Sequence, residues 1–139
     1  MKTLLLFFAL TLINLTTNAQ KSDKATITVT VPNVSGSDGH VLFSLYDETT
    51  FMTPSPIQRR KSEITNGIAK ITFTNVPAGV YGITCIHDRN DNKRMDFDVN
   101  GMPTESYGVS NNNMSYGPPV WSDAKFEIST EELAIEIRL

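Results

Sequence analysis

The feature that most constrains the fold of this chain is a repeated alternation of apolar and polar residues with a period of two. It recurs in six short segments, at residues 26–31, 41–46, 71–74, 81–85, 125–128 and 134–138. In an extended strand this alternation places apolar side chains on one face and polar side chains on the other. No segment shows a sustained helical period, and a helical turn is expected only within 130–133 or 48–52. The alternation therefore predicts an all-β protein.

Turn-forming residues separate these strands at close intervals. Three segments, Ser35–Gly39, Asn75–Gly79 and Ser129–Glu132, each lie between two alternating stretches and predict three hairpins. A further strand is expected at 57–64, where the basic triplet Arg59–Lys61 is typical of a protected sheet edge. About seven short strands with such turns predict an antiparallel two-sheet β-sandwich with one long loop.

The first nineteen residues have the pattern of a cleavable signal peptide. Lys2 follows Met1, residues 3–15 are almost wholly apolar, and Thr17 to Ala19 supply small residues for signal peptidase. The apolar run is well short of the ~20 residues that span a bilayer. We therefore expect cleavage after Ala19, no membrane span, and one secreted or periplasmic domain over residues 20–139.

Charge and cysteine content exclude several classes of partner. The net charge is −3, and no basic run suited to nucleic acid or to an anionic membrane surface occurs in the sequence. The single cysteine, Cys85, has no internal disulfide partner and falls within an apolar strand pattern. We expect it to be a small buried apolar residue.

Residues 87–123 show neither the strand nor the helical period, and a loop of that length is usually functional or tied down by its own contacts. Its first part has the spacing of a calcium loop, in which oxygens occupy positions 1, 3, 5, 7 and 9. Calcium takes about six to eight oxygens, so further groups or water must complete the shell. The oxygens would come from the side chains of Asp88, Asn90, Asn92 and Asp96, from the Arg94 carbonyl, and from Asp98 or Glu105.

Two residues depart from the usual calcium-loop pattern. Lys93 occupies position 6, where glycine normally adopts a positive φ, and Val99 occupies position 12, where a carboxylate is normal. A left-handed residue other than glycine costs about 1 kcal/mol. The alternative interpretation is a metal-free turn, because Asp and Asn side chains cap their own backbone.

The second part of the loop combines aromatic rings with amide side chains. Such a combination suits a glycan or protein ligand, because rings stack on apolar surfaces while amides fix orientation. The candidate ligand-binding residues are Tyr107, Asn111, Asn112, Tyr116 and Trp121. In the alternative interpretation the rings cover the core and the asparagines close turns.

No motif with a catalytic mechanism accompanies these features. The sequence has two histidines, His40 and His87, and no nucleophile elbow, phosphate loop or zinc-spaced cluster. We therefore expect a protein that is not an enzyme. The alternative is a hydrolytic enzyme that uses His87 with Asp88, or the carboxylates of Asp96, Asp98 and Glu105.

Four ordered motifs resemble those of an uncharacterised secreted-protein family, domain of unknown function 2141, over about Ala25 to Leu139. The Pro77–Tyr81 turn matches as well, whereas Lys93 departs from the glycine usual in the family. The resemblance implies an extracytoplasmic β-sandwich of transthyretin-like or immunoglobulin-like build, and the sequence features together predict a non-catalytic binding or surface-structural module with a calcium-stabilised loop. The motifs are His87-Asp88-x-Asn90-x-Asn92-x-x-x-Asp96, Gly101-x-Pro103-x-Glu105-x-Tyr107-Gly108-x-Ser110-Asn111-Asn112, Gly117-Pro118-Pro119 and Ala124-x-Phe126.

Overall fold

The computed structural model describes residues 23–113 and 115–139, so the expected signal peptide lies outside the described residues. The described chain contains a short 3₁₀ turn at Ser110–Asn112 and one short helix, α1 (Trp121–Ala124). None of its helices is long and apolar enough to cross a membrane. The strands are β1 (Lys24–Val31), β2 (His40–Tyr46), β3 (Gln58–Ser62), β4 (Ala69–Pro77), β5 (Gly79–Asp88), β6 (Tyr107–Val109), β7 (Phe126–Ile128) and β8 (Glu132–Glu136).

The strands form two sheets that enclose one apolar core. The three-stranded sheet has the order β4-β1-β8, and the five-stranded sheet has the order β3-β2-β5-β6, with β7 also pairing with β5. Alternate residues of both sheets point into the core, as in Ile27 and Val29 of β1, Phe43 of β2 and Ile83 of β5. The predicted all-β, two-sheet sandwich is therefore confirmed.

The three predicted hairpins are wrong. The chain crosses from one sheet to the other at each predicted turn, because β1, β4 and β8 belong to the three-stranded sheet while β2, β5 and β7 belong to the five-stranded sheet. Strand alternation shows which residues of a strand face the core. It does not show whether the next strand lies in the same sheet or in the facing sheet, because both arrangements bury its apolar face in the same core. The same pattern is therefore compatible with a hairpin and with a crossing.

Two further details differ from the expectation. β8 pairs parallel to β1, with Thr26 opposite Glu132, so the sandwich is not wholly antiparallel. The helical turns occur at Ser110–Asn112 and Trp121–Ala124 rather than within 48–52 or 130–133. Elements of three or four residues are too short to establish a period in the sequence, which is also why β6 was not predicted.

The positions of the basic strand β3 and of Cys85 agree with the expectation. Strand β3 lies at the edge of the five-stranded sheet and exposes Arg59, Arg60 and Lys61. Cys85 is completely buried, and this burial raises the pKa of its thiol well above the usual value. Cys85 is therefore part of the core.

Both faces of the five-stranded sheet are buried at its centre. Val41, Phe43 and Leu45 of β2 face the sandwich core, while Leu42 and Tyr46 point to the outer face and are also buried. Adjacent β5 is likewise buried at nearly every position from 81 to 88. Phe51 covers Tyr46 at one end of this face, and the segment after β5 covers the rest, so the long loop lies over the outer face of this sheet.

Candidate functional site

The loop begins by folding around the side chain of Asp88, the last residue of β5. Asp88 is completely buried, and its two carboxylate oxygens accept the backbone N–H groups of Asn92 and Lys93 at 3.1 and 2.7 Å. Asp91 and Lys93 have φ values of 55° and 66°. Lys93 thus has the left-handed conformation that glycine normally supplies at this position, as its place in the loop predicted.

Three more of the predicted oxygen donors converge beside Asp88. The side-chain amides of Asn90 and Asn92 donate to the two oxygens of Asp96 at 2.6 and 2.7 Å. The amide oxygens accept backbone N–H groups, Asn90 from Asn92 and Asn92 from Arg94. Positions 1, 3, 5 and 9 of the loop therefore form one hydrogen-bonded cluster.

Glu105 ties the two ends of this cluster together. It is 7% exposed, and its carboxylate accepts the N–H of Arg89 at 2.9 Å and the N–H of Asp96 at 3.2 Å. We call Asp88 and Glu105 the carboxylate clasp. Asp98, by contrast, is exposed and accepts the N–H groups of Asn100 and Met102 in a separate turn.

The oxygen-rich chemistry of this cluster fits a hard cation such as calcium. Neither member of the carboxylate clasp forms an ion pair with a basic residue in the described part of the chain. Backbone N–H groups alone offset these buried negative charges. Among the described residues, however, no three His, Cys, Asp or Glu side chains are grouped closely enough to hold a metal ion, so any site depends on amide, carbonyl or water oxygens.

The predicted ring-and-amide residues have separate local contacts. Trp121 packs edge-on against Phe51, with ring centroids 5.4 Å apart, and Tyr116 is fully exposed. The amide of Asn111 donates to the carbonyls of Asp123 and Lys125, and that of Asn112 donates to the carbonyl of Glu136. The two asparagines thus tie the loop to neighbouring backbone.

His87 and Asp88 are not brought together as a catalytic pair. Successive residues of a strand point to opposite faces of the sheet, and both side chains already have other partners. Nε2 of the buried His87 lies 2.8 Å from the carbonyl oxygen of Asp38, while the Asp88 carboxylate accepts the two loop N–H groups. The two side chains therefore serve separate parts of the structure.

Sequence reasoning missed a cavity of about 410 Å³ between the loop and the outer face of the five-stranded sheet. Its floor includes Tyr46, Thr84 and Ile86 and also Tyr107, which pairs with Ile86 across β5 and β6, and its roof includes Phe97 from the loop. The volume lies within the range of about 300–1,000 Å³ typical of small-molecule sites. The only hint in the sequence is that a polar loop also carries several large apolar residues.

A second cavity of about 520 Å³ adjoins the first and shares Tyr46, Ile86 and Phe97 with it. Its lining also includes the basic residues Arg59, Lys93 and Arg94. Strand β3 supplies Arg59, which lies opposite Ser44 of β2, and the loop supplies the other two. The two cavities are therefore neighbours, the first mainly apolar and the second carrying basic side chains.

Comparison with known proteins gives a family match and one structural likeness. The model of a family described as "Uncharacterized protein conserved in bacteria (DUF2141)" matches residues 29–136. No curated protein matches the chain. A solved structure described as a pilus-presented adhesin, Spy0125 (Cpa), has 15% sequence identity and a TM-score of 0.27, over 83% of this chain and 26% of that one. The chain thus spans about a quarter of the adhesin, and so low a TM-score supports no functional conclusion.

Proposed function

Since this chain belongs to the DUF2141 family of uncharacterized bacterial proteins, we propose that it is an extracytoplasmic, non-catalytic binding or surface module whose long loop is stabilised by calcium. One observation carries the proposal. The loop is anchored through the buried carboxylate clasp, and it roofs a cavity on a sheet face that would otherwise be open to solvent. Binding sites are commonly built in this way, from loops positioned by a rigid scaffold.

The cavity of about 410 Å³ between the loop and the sheet is the candidate place for a ligand. Of the predicted ligand-binding residues, only Tyr107 lines it. Asn111 and Asn112 already donate their side-chain amides to backbone carbonyls, which leaves them less able to orient a glycan or protein ligand. The cavity thus becomes the centre of the proposed binding function.

Calcium would be held by the side chains of Asp88, Asn90, Asn92 and Asp96 and by the carbonyl of Arg94. Glu105 is better placed than Asp98 to contribute, because Glu105 already bonds to both ends of the cluster while Asp98 caps its own turn. Bound calcium supplies positive charge among buried carboxylates. The hydrogen bonds of the cluster would keep these oxygens close together at the start of the loop.

Millimolar calcium should raise the melting temperature of the purified protein by about 3 to 6 °C over a chelator. A loop with Lys93 and Val99 at the two atypical positions should bind with a Kd of about 10⁻⁴ to 10⁻³ M. At ten times the Kd, linkage gives about 1.4 kcal/mol of stabilisation. Magnesium should give a much smaller shift because it dehydrates reluctantly. Differential scanning calorimetry in calcium, magnesium and chelator measures these shifts.

Matched variants test whether this loop is responsible. Asp96→Asn should remove most of the calcium shift, whereas Asp98→Asn should retain most of it. Lys93→Gly should enlarge the calcium shift by relieving the left-handed backbone. Arg94→Ala is its control, because it removes a neighbouring positive charge without that relief. Identical melting of the wild type in calcium and in chelator would show that the cluster is only a turn.

Export requires that the first nineteen residues act as a signal peptide. The protein recovered from an extracytoplasmic fraction should then begin at Gln20, because Ala19 ends the small-residue cleavage motif. Intact-mass measurement distinguishes this product from the full chain. Retention of residues 1–19 on the recovered protein would contradict both the cleavage and the proposed location.

A further inference from the structure

We infer that the two adjoining cavities together bind a free single-chain amphiphile with an anionic head, of which a fatty-acid carboxylate is the simplest example. The inference deepens the proposed binding function and rests on it. The apolar tail would occupy the cavity above Thr84 and Ile86, and the anionic head would lie near Arg59, Lys93 and Arg94.

The apolar end is built from both the sheet and the loop. Tyr46 and Ile86 lie on the outer face of the sheet, and Met95, Phe97 and Met102 come from the loop above them. Phe97 and Met102 are 60% and 62% exposed although they line the cavity. Large apolar side chains left open at a cavity mouth gain from covering by an apolar ligand. Methionines adapt readily to the shape of a flexible chain.

The basic end lacks anionic partners. No Asp or Glu lines either cavity in the described chain, and Arg59, Lys93 and Arg94 form none of the ion pairs found there. Arg59 bonds only to neutral groups, the hydroxyl of Ser44 and the carbonyl of Pro54. A carboxylate would supply the missing negative charge and accept charge-assisted hydrogen bonds.

This distribution of charge favours one occupant over the others. A peptide or a glycan would bring backbone or hydroxyl groups into the apolar cavity, where burial without hydrogen-bond partners is costly. A neutral hydrocarbon would leave the three cations unused. The apolar cavity, about 410 Å³, lies near the lower end of the small-molecule range and suits one chain rather than two.

Titration of the purified protein with decanoate, laurate and myristate by calorimetry tests the inference. Below their micelle concentrations, Kd should tighten about fourfold for each added methylene until the cavity is filled. Laurate should bind about tenfold more tightly than dodecanol, because only the carboxylate engages the cations. The titrations are run in chelator and again in calcium, with micromolar ligand so that calcium soaps stay dissolved.

Two pairs of variants separate the head site from the tail site. The double variant Arg59→Ala/Arg94→Ala should lose most of the preference for laurate over dodecanol, because only Lys93 remains at the head site, whereas Lys70→Ala/Lys125→Ala, which removes two exposed cations elsewhere, should keep the preference. Met102→Asp should weaken laurate binding at least about tenfold by placing charge in the apolar roof. Val99→Asp adds the same charge at a fully exposed position of the same loop and should leave the affinity for laurate in chelator unchanged.

Several results would overturn the inference. One is the absence of laurate binding in both buffers, and another is a Kd that does not depend on chain length. Equal affinity of the wild type for laurate and dodecanol would also contradict it. Binding confined to phosphatidylglycerol vesicles would indicate a membrane surface instead. The calcium proposal is tested separately, by the melting temperature of the protein in calcium and in chelator without laurate. A calcium shift without laurate binding refutes only the ligand class, and laurate binding without a calcium shift refutes only the metal.

Discussion

Replacing Gly39 with alanine should destabilise the folded protein by about 3 kcal/mol. The residue has a φ of +68°, and an added Cβ would lie 1.9 Å from the carbonyl oxygen of Asp88 and 2.7 Å from Cα of Arg89. Both neighbours are backbone, so neither can rotate away. The cost combines the strain of a left-handed alanine with overpacking, which together amount to roughly 2 to 4 kcal/mol. Urea denaturation monitored by tryptophan fluorescence measures it.

Gly36→Ala is the matched control for this substitution. Gly36 also has a positive φ, +88°, but nothing lies within 4 Å of its added Cβ. It should lose only about 1 kcal/mol, the backbone part of the effect. The difference between the two variants isolates the close approach of the β1–β2 connection to the start of the long loop. Equal destabilisation of the two would mean that this approach is not close in solution.

Replacing Glu105 with alanine should cost about 3 kcal/mol of stability and open the loop to proteolysis. The buried carboxylate accepts two backbone N–H groups from opposite ends of the cluster, at Arg89 and Asp96. Hydrogen bonds to a charged group are worth about 1.5 to 3 kcal/mol each, and part of the loss is recovered when water reaches the freed groups. Chemical denaturation and limited proteolysis with mapped cleavage sites measure the two effects.

Asp98→Ala provides the comparison for Glu105. The Asp98 carboxylate also accepts two backbone N–H groups, those of Asn100 and Met102, but it is exposed and closes only its own turn. Its removal should cost less than about 1 kcal/mol, because water replaces the lost acceptor. If Asp98→Ala proved as damaging as Glu105→Ala, the clasp would have no special role in holding the loop.

The sequence predicted the strands better than their partners. Apolar residues such as Ile27, Val29 and Phe43 recur every second position, and burial of one strand face requires that spacing in either sheet. Strand pairing depends on contacts between residues far apart in the chain. Such contacts leave no local pattern, and so turns such as Asn75–Gly79 were interpreted as hairpins when they are crossings.

The sequence likewise indicated only the local part of the candidate site. Spacing within one short segment predicted that Asp88, Asn90, Asn92 and Asp96 lie close together, and hydrogen bonds join them because a tight loop determines its own geometry, whereas calcium binding by these residues stays a prediction. Glu105 was named only as one of two further donors, and its role in closing the loop depends on the return of the chain toward β6. The cavity depends on how the loop lies over β2 and β5, which no local pattern records.

The parallel pairing of β8 with β1 has a consequence for the order in which the fold can form. This pairing joins residues near the start of the described chain to residues near its end. Hydrogen bonds between Asn33 and Leu139, which are 106 residues apart in the sequence, do the same. Folds dominated by such distant pairings have high contact order and fold in milliseconds to seconds. Until residues 132–136 are available, one edge of β1 stays unpaired, so a nascent chain cannot complete its three-stranded sheet until nearly the whole sequence described here has been synthesised.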